Sequence, residues 1–183
     1  DWPGCYGFLG VPENADELSI VEQSFPGQVV EPAKAWREMI HRYIASLLGL
    51  FILILFVSEV LKKNKTVFSD NFNLKISLLL LLLVIFQGLL GMWTVTLKVH
   101  PFVVLAHLVG GLSTLSLLFI YLKRISAPTI PRASFTGLLS FGLVLLIAQI
   151  LLGGWTRTNY AALGCPDLPL CYGQFWPSNM DIN

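Results

Sequence analysis

The chain has 183 residues, of which 55% are hydrophobic and 13% charged, with a formal net charge of +1 and a mean hydropathy of +0.69. That balance is too apolar for a disordered or highly charged chain and unusual for a soluble domain. The basic residues are scattered over loops with no aromatic stacking pattern, which excludes nucleic acid as a partner.

The chain opens Asp1-Trp2-Pro3-Gly4-Cys5-Tyr6-Gly7 and near its end reads Asp167-Leu168-Pro169-Leu170-Cys171-Tyr172-Gly173. The two stretches overlay as D-x-P-x-C-Y-G, with Cys5 over Cys171. A mate for Cys165 would then fall just ahead of residue 1. The overlay therefore predicts a window of a longer, internally duplicated protein, in which Cys5 is half of a cysteine pair. No initiator Met and no signal-peptide pattern mark the start. Residues 1–38, with Glu13, Asp16, Glu17, Glu22 and Glu31, read as an acidic outer loop segment.

Four apolar runs follow, at Met39–Val60, Leu74–Leu97, Phe102–Leu122 and Phe135–Trp155. A hydrocarbon core takes about 20 helical residues to cross, so each run is long enough to be a transmembrane helix. The predicted fold class is all-α and integral to the membrane: residues 39–155 form a four-helix bundle of two repeated hairpins, and residues 156–183 form a second outer loop. Lys62, Lys63, Lys65 and Lys75 lie between the first two runs, and Lys123, Arg124 and Arg132 between the last two. The positive-inside rule makes both loops cytoplasmic and puts both chain ends and all three cysteines on the outer, oxidising side.

A second repeat lies within the membrane. The second run ends Gln87-Gly-Leu-Leu-Gly-Met-Trp93-Thr94-Val-Thr96 and the fourth ends Gln149-Ile-Leu-Leu-Gly-Gly-Trp155-Thr156-Arg-Thr158. Both read Q-x-L-L-G-x-W-T-x-T, 62 positions apart. Trp favours the outer headgroup level, and the glycines allow close helix approach. The preceding runs each carry one histidine near the outer end, His41 and His107. Ionisable groups within a membrane are costly and mark function. Two imidazoles on symmetry-related helices are the ligand set of a six-coordinate haem iron held in a bundle core. His100, before Pro101 and without a symmetry mate, reads as a solvated turn residue.

Glu38 lies three residues before His41 and so shares its helix face. It could orient the imidazole, act as a base, or simply pair with Arg37 or Arg42, while Arg42 could instead meet a haem propionate. Glu59 reads as the partner of Lys62 and Lys63. Cys165 and Cys171 flank Pro-Asp-Leu-Pro-Leu, which suits a disulfide or redox-active dithiol. With no His or third Cys nearby, the segment is a poor tetrahedral metal site.

The GGWTRTNYAALGCPDLPLC segment, the Glu38-x-x-His41 helix and the later helix His107 together resemble the haem A synthase family. The resemblance spans essentially the whole chain. It implies an eight-helix protein in two similar halves, of which this chain would carry the tail of the first outer loop, helices two to five and most of the third outer loop. It implies that His41 and His107 are the axial pair for substrate haem O, with haem b expected in the half that lies outside the chain. Glu38 would match the family's essential acid, Cys5 the second cysteine of a first-loop pair implicated in activity, and Cys165 and Cys171 a structural disulfide. The implied activity is oxidation of the haem O methyl group to formyl, giving haem A, in a bacterial inner membrane. Haem O synthase, the terminal oxidase assembly and a second copy of the chain are the candidate protein partners. The rival readings are a bis-His electron-transfer cytochrome and a thiol-oxidising membrane protein.

Overall fold

The computed structural model describes residues 4–27, 29–65, 71–126, 136–159, 161, 173 and 174. Among these described residues five helices appear in order: α1 (Ala15–Ser24), α2 (Pro32–Lys65), α3 (Asn71–Thr96), α4 (Pro101–Ser126) and α5 (Thr136–Thr158). The last four are each long and apolar enough to cross a membrane. The all-α membrane fold expected from the apolar runs is thus the one observed.

The acidic segment holds a helix that hydropathy alone did not disclose. In α1 the Glu17 carboxylate accepts from the backbone N–H groups of Glu13 (3.1 Å) and Asn14 (3.4 Å), giving two helix-start donors a partner. Three long-range bonds then lay this segment across the start of α2. Trp36 Nε1 donates to Glu13 Oε1 at 2.6 Å, the Tyr43 hydroxyl to the Leu9 carbonyl at 2.6 Å, and Arg42 Nη1 to the Gly4 carbonyl at 2.9 Å. Ahead of α1, Cys5 and Phe8 exchange both backbone bonds around Tyr6 and Gly7. Both turn residues have positive φ, at 53° and 87°, which matches the two central positions of a tight hairpin turn. The turn holds Cys5 beside the start of α2.

Helix α2 starts at Pro32, whose fixed φ and missing N–H suit a first helical position. Its 34 residues span about 51 Å, well beyond a hydrocarbon core of about 30 Å, so its polar first turns stand clear of the apolar layer. Helices α3 and α4 meet through a tight turn in which the Val99 N–H donates to the Thr94 carbonyl at 2.9 Å. Lys98 and Val99 both take positive φ, 48° and 62°, an uncommon conformation for a β-branched residue. Pro101 then opens α4.

Packing follows chain order: α3 lies between α2 and α4, and α4 against α5, whereas α2 and α5 make no contact among the described residues. The repeats therefore do not close into a symmetric ring of four. The core is small, with Ile52, Ile76, Leu80 and Tyr121 buried together and Leu55, Val84 and Leu117 packed around them. No residue in the most apolar window of α5 is buried. In a bilayer such a face needs no protein cover, because lipid is as apolar as leucine.

Candidate functional site

The antiparallel helices gather the chemistry at one end. His41 comes from the second turn beyond Trp36 on α2, and His107 from the second turn of α4. Their ring centroids are 6.3 Å apart with planes at 71°, across the line of α3. His41 is exposed at the mouth and His107 half-buried. Gly110 lets α4 approach α3 here, whereas Gly91 only borders His107. A Cβ at Gly91 would lie 3.6 Å from His107 Cε1, and a Cβ at Gly110 would overlap the amide of Gln87. The Nδ1 atom of His107 and the Nε2 atom of Gln87 are buried without a hydrogen-bond partner. Among the described residues no group of three His, Cys, Asp or Glu side chains converges on a metal position. What this end of the molecule brings together is two imidazole rings, one from α2 and one from α4.

Beside the histidines, the first turns of α2 and the Cys5 hairpin enclose a cavity of about 230 Å³. Cys5, Lys34, Glu38, Met39 and Arg42 line it. Of the open readings of Glu38, its contact in the structure is an ion pair with Arg42 Nη2 at 2.5 Å. Arg42 also reaches the Gly4 carbonyl, so the Glu38–Arg42 pair buttresses the Cys5 hairpin. Burial pushes the Cys5 thiol above its ordinary value, and the negative charge of Glu38 adds to the shift. Cys5 and Glu38 therefore share one cavity, with Arg42 on its wall, and neither histidine lines it.

His100 is exposed in the α3–α4 turn, with its ring against Phe102 at 5.9 Å, consistent with a turn residue. Cys165 and Cys171 lie outside the described residues. At the opposite end of the bundle, Glu59 has more partners than the expected lysine. It is 6% exposed, accepts from Lys62 Nζ at 2.7 Å and accepts from the Tyr121 hydroxyl of α4 at 2.9 Å. Sequence reasoning missed Tyr121, since nothing local links residues 62 positions apart. It also missed the seat of Gln87 on Gly110, although a buried glutamine within an apolar run was a usable signal.

The family described as cytochrome oxidase assembly protein, COX15-CtaA, matches residues 1–182. A haem A synthase of Shewanella oneidensis is 47% identical over 187 residues, covering 100% of this chain and 54% of that protein. Haem A synthases of Alkalihalophilus pseudofirmus and Halalkalibacterium halodurans are each 28% identical, over 96% of this chain and 54% of theirs. The chain thus spans about half the length of the curated relatives it matches. No solved structure matches it.

Proposed function

The chain belongs to the COX15-CtaA family of cytochrome oxidase assembly proteins, and on that premise we propose that it is the haem-O-binding part of a membrane-embedded haem A synthase. The reaction would oxidise the porphyrin-edge methyl of haem O to formyl. The observation that carries this reading is the His41–His107 pair. With ring centroids 6.3 Å apart, these two imidazoles would be the residues that hold a haem iron. The unpaired Nδ1 of His107 fits that role, since a ring bound through Nε2 keeps a proton on Nδ1 for a neighbour.

The remaining residues take roles around the pair. A bound haem would supply the iron and carry the methyl group to be oxidised. Turning methyl into formyl takes an oxygen atom from water and releases protons and electrons, so the site needs a base. Glu38 is the acid closest in sequence to either ligand and stands on the wall of the adjoining cavity. Releasing Glu38 for that work requires Arg42 to let go, and a haem propionate is a suitable replacement partner for the guanidinium. Cys5, facing the same cavity, joins the first-loop cysteine pair, and the electrons leave to an acceptor outside the chain. The lipid bilayer is the solvent, a bacterial inner membrane the location, and the cavity end the outer face. Haem O synthase as donor and the oxidase assembly as recipient are the protein partners this places on either side.

Pigment extracted from the purified full-length protein tests the proposal. Haem O together with haem A supports it. Haem B alone would make the protein a bis-His cytochrome, and absence of any haem would favour thiol chemistry at the cysteines.

A further inference from the structure

Among the described residues three buried side-chain atoms lack a hydrogen-bond partner, and two of them, Gln87 Nε2 and His107 Nδ1, lie at the α3–α4 contact. An unpaired buried polar group is destabilising, so two at one contact call for a shared explanation. Gln87 is 9% exposed and seated on Gly110, and His107 rests against Gly91. Gly91 is one turn from Gln87 along α3, and Gly110 one turn from His107 along α4. The helices run antiparallel, so the glutamine amide lies one turn deeper in the membrane than the imidazole. Gly110 is the notch that admits the amide of Gln87.

From this juxtaposition we infer that Gln87 is a positioning residue for His107, its amide oxygen accepting the Nδ1 proton directly or through one water. This rests on the reading of His107 as an iron ligand. A ring that binds iron through Nε2 presents Nδ1–H as a donor, and the partner of that donor fixes ring orientation and raises ligand basicity. The amide has the required acceptor: rotation about its last bond exchanges oxygen for nitrogen with almost no change of shape. Gly110 leaves the space for that rotation. The inference also gives the Q-x-L-L-G repeat a role. Gln87 and Gly91 act together on the helix that follows, whereas Gly153, their repeat counterpart on α5, faces open space and Gln149 is exposed.

The test uses full-length protein carrying haem, with Gln87→Leu, Gln87→Glu and Gly110→Ala. The readouts are the low-spin g-values, the midpoint potential and the haem retained. Gln87→Leu removes the acceptor at similar size and should raise the potential, shift the g-values and lower haem retention about tenfold. Gln87→Glu keeps an acceptor oxygen and should stay at or below the wild-type potential. Gly110→Ala displaces the amide without removing it and should shift potential and g-values in the same direction as Gln87→Leu. Unchanged g-values and potential in Gln87→Leu would overturn the inference while leaving the haem reading intact. So would a Gln87→Glu protein that follows Gln87→Leu, or loss of all haem from both Gln87→Leu and Gly110→Ala, which would make this a packing contact. A wild-type protein without a bis-His signal would instead defeat the reading beneath it.

Discussion

Tyr121→Phe removes one hydroxyl and nothing else, and it does so where α2 and α4 meet at the cytoplasmic end of the proposed topology. The lost bond runs 2.9 Å to Glu59, a carboxylate only 6% exposed. Bonds to charged acceptors contribute about 1.5–3 kcal/mol in soluble proteins. Two features pull the value down. Lys62 still reaches the same carboxylate at 2.7 Å, so the charge is not orphaned, and the larger penalty of a broken buried ion pair does not apply. Polar contacts between membrane helices also average only about 0.6 kcal/mol, because the separated helices find other partners. The expected loss is about 1.5 kcal/mol, or roughly 2 °C in the melting midpoint of a full-length protein about twice as long as this chain. Thermal unfolding of the detergent-solubilised full-length protein reads it directly. Replacing both partners, as Glu59→Leu with Tyr121→Phe, should recover most of the loss, since an apolar pair leaves no unpaired group. A midpoint unchanged within about 1 °C, or a double variant whose loss is the sum of the singles, would refute the coupling.

Glu38→Gln, which keeps size and hydrogen-bonding capacity but removes the base, should retain haem in the full-length enzyme, accumulate haem O or a hydroxylated intermediate, and yield little haem A on pigment analysis. Cys5 in reduced protein should resist alkylation at neutral pH and react as pH rises beyond 9.0, because burial first and Glu38 second raise its pKa. Its folded value lies above the unfolded one, so the stability it contributes is present below the ordinary thiol pKa and lost as pH climbs through the folded value. Glu38→Gln should move the alkylation profile to lower pH. Mass mapping of non-reduced full-length protein should find Cys165 bonded to Cys171, and a Cys5–Cys171 crosslink would contradict the repeat-based pairing.

The membrane fold was legible because lipid imposes a length and an apolar composition on each span, and Met39–Val60 and its three successors meet both. The segment before them was not legible as helical. Its α1 depends on the Glu17 carboxylate at the helix start and on Trp36, Arg42 and Tyr43 reaching back to hold the chain, and none of these leaves a hydrophobic period. Two histidines at matching places in a repeat pointed to His41 and His107, whose ring centroids lie 6.3 Å apart. The repeat said nothing about surroundings, however, and similar motifs on α3 and α5 meet different ones. Gln87 is buried against Gly110, while Gln149 is exposed on a helix that among the described residues packs against α4 alone. Contacts between distant helices, such as Glu59 with Tyr121, depend on how the spans pack, which span composition does not encode.

The central claim is that His41 and His107 hold one haem iron between them. Low-temperature electron paramagnetic resonance of full-length protein, wild type against His41→Ala and His107→Ala, tests it most directly. The account predicts that each single variant loses the same low-spin bis-imidazole signal and the haem O and haem A that accompany it. Persistence of that signal in either variant, with wild-type haem O content, would contradict it.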